Sequence, residues 1–306
     1  MKEYKLNQNR LAEHTHKTCE QSDTESSDVL CEIDANGIAT LILNRVSKKN
    51  AFDDSMIESL IHYIDTLSVI PTIRCLLLQA NGTHFSAGAD LHWMKSMAEK
   101  SVKANHQDAQ QLAHLMQTLD TFPHPTIAVV QGCAFGGALG LICCCDIVIA
   151  QSDSQFCLSE VKLGLIPATI GPYVCRAIGV RYTRRFMLTG ERIDANTAQH
   201  IGLIHLIVDT ETKTEASRLE QQIIQLTQAI LNNSPAALQQ AKALCHACEN
   251  QPIDKKLIKY TSHLIADIRV SEQGQEGLSA FFDKRQPSWC ANTKISTKKG
   301  KGKKNE

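Results

Sequence analysis

The chain lacks any apolar run near the ~18 residues that a membrane-spanning helix needs. It also lacks an excess of charge: Lys and Arg total 32, and Asp and Glu total 32. That balance argues against a protein built to coat nucleic acid or acidic lipid. The first 28 residues have neither the apolar stretch of a signal peptide nor the acid-poor composition of a transit peptide. Cysteine is plentiful, at 12 residues in 306, but a secreted disulfide scaffold is short and cysteine-dense. Cys143, Cys144 and Cys145 are consecutive, and neighbours on a helix point about 100° apart, so they cannot share one metal. The cysteines read as small buried hydrophobes in a reducing cytoplasm. No convincing metal site is present, and no metal or redox cofactor is expected.

What remains is a globular composition, 43% hydrophobic and 21% charged, long enough for a sizeable core. Residues 1–28 are polar with little apolar periodicity, so they are expected to be a disordered extension. Residues 291–306 form a short basic tail, TKKGKGKKNE at its end, expected to be flexible. Between them strands and helices alternate. Residues 38–43, 74–79, 126–131 and 147–150 are short and β-rich, with 204–208 as a later strand. Residues 54–69 and 106–120 repeat apolar side chains at helical spacing, and Asp53 or Asp54 can cap the first of them. Residues 91–98 form a further helical segment. Segments 194–200, 211–231, 236–248 and 257–270 also read as helices. The pattern predicts an α/β core over 29–210 and a helical region over 211–290.

Three segments carry chemistry. His84-Phe85-Ser86-Ala87-Gly88-Ala89-Asp90 follows a strand and precedes a helix, and its small residues let backbone approach a ligand closely. Gly132-Cys133-Ala134-Phe135-Gly136-Gly137-Ala138-Leu139-Gly140 runs straight into an apolar helix that must be buried all round. Gly136-Gly137 then lies at that helix's N-terminus, where free N–H groups and the positive dipole end suit a developing negative oxygen. The spacing matches neither a Walker loop nor GxGxxG. In the third, Phe156 to Pro167, Glu160 is a lone acid among mainly apolar residues. Such a carboxylate tends toward a raised pKa and suits proton transfer.

Together these segments resemble the crotonase (enoyl-CoA hydratase/isomerase) superfamily. SAGAD at 86–90, GCAFGGALG at 132–140, CDIVIA at 145–150 and FCLSEVKLGLIP at 156–167 come in the family's order and spacing. TGERIDANTAQHIGLIHLIV at 189–208 and FFDKRQP at 281–287 extend the match over roughly 29–290. The wording is most similar to the methylglutaconyl-CoA hydratase branch, with relatives acting on isohexenylglutaconyl-CoA.

The resemblance implies an α/β spiral of ββα units with a C-terminal helical trimerisation region, and a homotrimer or dimer of trimers. It implies an acyl-CoA thioester as substrate, so CoA enters with the substrate. By motif position, Ala87 and Gly137 match the two residues whose N–H groups form the family's oxyanion hole. Ala87, Gly88, Ala89 and Asp90 match a CoA-contacting stretch, and Lys284 lies where some members place a C-terminal contact to CoA. Glu160 matches the second of two catalytic glutamates, whereas Gly140 stands where the first would be.

The function implied is hydration of a branched 2-enoyl-CoA in leucine or acyclic terpenoid catabolism. A Δ3-Δ2-enoyl-CoA isomerase, needing one base and the same oxyanion hole, is the alternative. A non-catalytic CoA- or RNA-binding protein is the alternative of another class. A glutaconyl substrate carries a carboxylate, for which Lys95, Lys162, Arg176, Arg184 and Arg185 are candidate partners. Trp93, Met94 and residues 168–173 are candidates to shape the acyl pocket.

Overall fold

The computed structural model describes residues 27–209 and 215–290. The expectations for residues 1–26 and 291–306 lie outside the described residues. Asp28, expected in the loose extension, pairs with Arg45 at 3.4 Å.

A six-stranded sheet has the order β1 (Val29–Ile33), β2 (Ile38–Leu43), β3 (Cys75–Ala80), β4 (Thr126–Val130), β6 (Ile147–Gln151) and β9 (Leu206–Val208). The first pair is antiparallel and the others are parallel. Parallel strands carry helices on their connections, so their faces are covered. That is why β4, TIAVV, is buried at every position. On one face lies a core that includes Leu41, Leu76, Leu78, Ala128 and Val130, packed against α1 (Asp54–Ser68) and α3 (Val102–Asp120). On the other face Cys75, Leu77, Ile127, Val129 and Ile149 meet Ile230 and Leu231 of α7 (Glu215–Leu231). Cys75 is an apolar filler there: burial pushes its thiol up to about 12, so it stays protonated and inert.

A second sheet joins β5 (Cys133–Phe135), β7 (Gln155–Cys157) and β8 (Ile193–Asp194). Single bridges extend it, Phe52 to Ala89 and Ser86 to Ala134. The chain visits the large sheet, then this layer, then a helix, and repeats. This is the expected spiral of ββα units. The strands of the small layer are two or three residues long, too short to show a period of two, which is why the sequence pattern misses them.

Between β5 and β6 runs α4 (Gly137–Cys144), buried except at Gly137 and Cys143, as its all-round apolarity requires. Helix α3 begins four residues before its apolar stripe suggests, because the Ser101 side chain accepts a hydrogen bond from the Ala104 N–H and caps it. Two helices have no counterpart among the expected segments. One is α5 (Gly171–Thr189), interrupted at Gly179, where φ is +72°; Gly and Pro near its start hide the pattern. The other is α10 (Glu272–Phe282), which carries two glycines. The smaller α2 (Leu91–Ala98) and α6 (Ala195–His200) are capped by Asp90 and Asp194. With α7, the C-terminal helices are α8 (Pro235–Cys248), α9 (Lys255–Val270) and α10. Helices α8 and α9 bury no residue within the chain, and Ile265, Val270, Phe281 and Phe282 are exposed.

One polar cluster ties these layers together. The Asp146 carboxylate accepts hydrogen bonds from the Thr126 N–H at 2.8 Å, the Thr126 hydroxyl at 3.0 Å and Lys242 Nζ at 2.8 Å. It thereby joins the start of β4, the α4–β6 turn and α8. The Lys242 side chain is 9% exposed, so removing its partner strands a charge. Asp146→Ala should lower the unfolding free energy by about 1.5–3 kcal/mol, the range for hydrogen bonds to charged groups. Urea unfolding with an unchanged m-value checks this, and a loss below about 0.5 kcal/mol would show an idle pair.

Candidate active site

A cavity of about 550 Å³ opens between α2, α3, the start of α4 and the turn that follows β7. Phe52, Ala89, Gly137, Glu160 and Ile170 are among its walls. Its chemistry begins in the loop after β3. There the Phe52 N–H donates to Gly88 O at 2.7 Å, and the Asp90 N–H donates to Phe52 O at 2.8 Å. In a parallel bridge of this kind the residue opposite Phe52 turns its own N–H away. That residue is Ala89. The neighbouring amides are all committed: Ser86 donates to Cys133 O, Ala87 to Lys49 O, and Gly88 to Ser86 Oγ. The Ala89 N–H has no acceptor among the described residues, and Ala89 lines the cavity.

This corrects the position expected for the first donor. The Ala87 N–H is spent on Lys49 O at 2.9 Å and cannot serve a ligand. SAGAD offers two alanines around one glycine, and the register of a bridge to Phe52, far off in sequence, decides between them.

Gly137, expected to supply the second donor, lines the same cavity. Gly137 is the first residue of α4, so its N–H is one of the helix's orphan donors. Gly136 before it has φ +54° and ψ −125°, a conformation open in practice to glycine. A Cβ on Gly136 would fall 3.2 Å from Glu160 Oε1 and 3.9 Å from Gly88 Cα. Glycine at 88 and 136 thus lets the two loops and the carboxylate approach one another closely.

Glu160 opens a 3-10 turn, Glu160–Leu163, just past β7. Burial raises its pKa above the ordinary Glu range, because the charged form loses hydration. Its Oε2 is buried without a hydrogen-bond partner among the described residues. Lys162 does not neutralise it; that side chain packs against Gly190, its Cε 2.9 Å from where a Cβ would stand.

Gly140 is shut off from the cavity. A Cβ there would lie 2.3 Å from Ile170 Cγ2 and 2.8 Å from Met116 Sδ. The place of a first glutamate is therefore filled by the core, and no side chain fits without repacking.

Other expected contacts move elsewhere. The Asp90 side chain caps α2, accepting from the His92 and Trp93 N–H groups at 2.8 and 3.2 Å, and pairs with Arg45 at 3.3 Å. Desolvation alone would raise its pKa, yet those amides and Arg45 hold it below the usual range. It builds the loop rather than lining the cavity, and Gly88 likewise acts by close approach. Lys284 is exposed and is not on the cavity of its own chain. Arg176 is engaged by Asp120 and Glu249, and Arg185 by Glu191. Of the five candidate cations, Lys95 lines the cavity. Trp93, Met94, Thr169 and Ile170 also line it, in keeping with the segments expected to shape an acyl pocket.

The reading of the sequence passes over Asp108. It lines the same cavity and falls on the stripe of Leu112, Leu115 and Leu119 along α3. An acid on the apolar face of a helix is the signal that marks it.

The arrangement places two N–H groups without acceptors among the described residues and one half-buried carboxyl on the wall of one cavity. That combination suits stabilising an enolate while moving a proton beside it. Comparisons with known proteins agree. A family model described as enoyl-CoA hydratase/isomerase matches residues 34–292. The crystal structure of an enoyl-CoA hydratase from Shewanella pealeana is 48% identical, with a TM-score of 0.80 over 86% of this chain and 96% of that one. The 2,3-dehydroadipyl-CoA hydratase of Escherichia coli is 30% identical over 82% of this chain and 94% of its own length. The mitochondrial enoyl-CoA hydratase domain-containing protein 3 of Xenopus laevis is 32% identical over 83% of each. With its spiral fold and a match across most of its length, this chain belongs to the enoyl-CoA hydratase/isomerase family.

Proposed function

We propose that the protein is a hydro-lyase that adds water across the double bond of a branched 2-enoyl-CoA, methylglutaconyl-CoA or isohexenylglutaconyl-CoA. The observation that carries this reading is the pair of amides, Ala89 and Gly137, without acceptors among the described residues, on the same cavity as Glu160, whose buried Oε2 has no partner among them. The thioester oxygen accepts both N–H groups. As water adds at C3, charge moves onto that oxygen, and donors fixed in advance bind the enolate better than the ground state. Glu160 takes the water's proton and returns it to C2 on the same face. The CoA portion supplies remote binding energy that positions the reacting carbons.

Met94, Met97, Leu112 and Ile166 give the cavity an apolar wall fit for a branched acyl chain, and Lys95 is placed to meet a carboxylate on it. The exposed apolar side chains of α9 and α10 support assembly as a homotrimer or dimer of trimers. A cytoplasmic enzyme with no resident cofactor fits the same reading.

A second reading, a Δ3-Δ2-enoyl-CoA isomerase, is favoured by the closed Gly140 position, since shuttling a proton between C2 and C4 needs one base. Incubation with the 2-enoyl-CoA compounds separates them. Hydration removes the conjugated enone absorbance, whereas an isomerase leaves those compounds alone or moves their double bond.

Glu160→Gln should lower kcat by roughly 10²–10⁴-fold and keep the fold. Near-normal turnover would refute the role. The pH dependence follows from the raised carboxyl. The base must be ionised, so the acid limb of kcat/KM should lie above the ordinary Glu range and vanish in Glu160→Gln. Ionising that carboxyl in the folded state is unfavourable. Its contribution to stability is thus full below the unfolded pKa and lost as pH rises through the folded one. Glu160→Gln should therefore gain thermal stability over the parent at neutral pH, the gain shrinking toward pH 4. A gain that grows on acidification would contradict the sign.

Gly140→Glu does not restore a two-glutamate site. It forces Ile170 and Met116 aside and should cost at least ~1–3 kcal/mol of stability, the range for overpacking, with no rise in hydration. Thermal unfolding and the same assay check it.

A further inference from the structure

We propose that Asp108 is the second carboxyl of the reaction centre, standing in from helix α3 for the side chain that Gly140 lacks. The inference rests on the hydration reading above and deepens it.

The placement is what carries it. Asp108 lines the same cavity as Ala89, Gly137 and Glu160. It does so half-buried, in line with Leu112, Leu115 and Leu119 of α3, and it forms no ion pair among the described residues. A carboxyl kept on an apolar stripe without a salt-bridge partner costs stability. That cost is typical of groups held for chemistry. The surroundings agree: burial raises the Asp108 pKa, Asp54 adds to the rise, and Trp93 and Lys100 oppose it.

The helix that presents Asp108 is held from below. Asn105 Nδ2 donates to Met97 O at 2.9 Å, Lys100 O at 3.3 Å and Ser101 O at 3.1 Å. These bonds clamp the end of α2 to the start of α3. Asp108 lies one turn further along, so the clamp sets where its carboxyl enters the cavity. Asn105 is in this sense a positioning residue.

The chemistry balances with one water and no further reactant. The water oxygen bonds to C3 while one of its protons passes to Glu160. The C2–C3 π pair moves onto the thioester oxygen, which the Ala89 and Gly137 amides hold. Glu160 then returns that proton to C2. Asp108 accepts a hydrogen bond from the water's other O–H and aims its lone pair at C3. Glu160 performs every proton transfer, and Asp108 orients the nucleophile.

That division of labour makes the proposal testable in the full-length protein. Asp108→Asn and Asp108→Ala are assayed for hydration of crotonyl-, methylglutaconyl- and isohexenylglutaconyl-CoA. They are also assayed for exchange of the C2 proton of the corresponding saturated acyl-CoA in deuterated water. Exchange needs Glu160 and the two amides but no added water. Both variants should lose about 100-fold in kcat for hydration, the lower end of acid–base contributions. KM and the exchange rate should stay within about threefold of the parent, while Glu160→Gln loses both reactions. Where Asp108→Ala unfolds, the equal-sized Asp108→Asn decides. Hydration within about fivefold of the parent in Asp108→Asn overturns the proposal. So does a parallel loss of hydration and exchange, which would make Asp108 part of the frame only. If the unaltered protein hydrates none of the three substrates, the hydration reading itself fails, and Asp108 loses this role with it.

Discussion

The site depends on hydrogen bonds that are not made. Among the described residues, four of the five amides from Ser86 to Asp90 find acceptors and the Ala89 N–H does not. The reason is a single parallel bridge: Phe52 engages the residues on either side of Ala89 and leaves that amide facing the cavity. The Gly137 N–H has no acceptor among the described residues for a different reason, as the first residue of a helix. The two loops that carry these donors lie against each other because glycine at 88 and 136 removes the side chains that would keep them apart.

Such an arrangement is unfavourable on its own. Unpaired amides and a desolvated Glu160 each cost the folded state free energy. The spiral supplies what offsets this. Every turn adds a strand to a sheet buried on both faces, and α4 sits inside the core with Leu139, Leu141 and Ile142 almost wholly buried. A helix gripped on all sides cannot shift to bond its free N-terminal amides elsewhere. The same tight packing closes the Gly140 position through Ile170 and Met116. Rigidity that aims the amides thus rules out a carboxyl at the next turn of the same helix, and the cavity takes its further polar groups from α2 and α3.

Much of this was legible in the residues. The long strands β2, β3, β4 and β6 are marked by unbroken β-rich runs, and α1 and α4 by their apolar patterns. Gly137 and Glu160 stand out through a glycine pair ahead of an apolar helix and a lone acid in an apolar stretch. What stayed hidden depends on partners distant in the chain. Ala87 and Ala89 are the same residue type two positions apart, and the bridge to Phe52 distinguishes them. Asp90 looks like a ligand group until its carboxylate is seen capping α2 and meeting Arg45. Asp108 reads as ordinary helix polarity until its stripe is followed into the cavity. Helix α5 hides behind glycine and proline, whose propensities its packing overrides.

The central claim is that one thioester oxygen is held by the amides of Ala89 and Gly137, with the Glu160 carboxyl beside the adjoining carbons. A crystal structure with a bound, non-reacting acyl-CoA measures this directly. The account predicts the thioester oxygen at hydrogen-bond distance, about 2.7–3.1 Å, from both nitrogens, and the Ala87 N–H still on Lys49. A thioester oxygen bound by Ala87, or lying away from both amides, would contradict it.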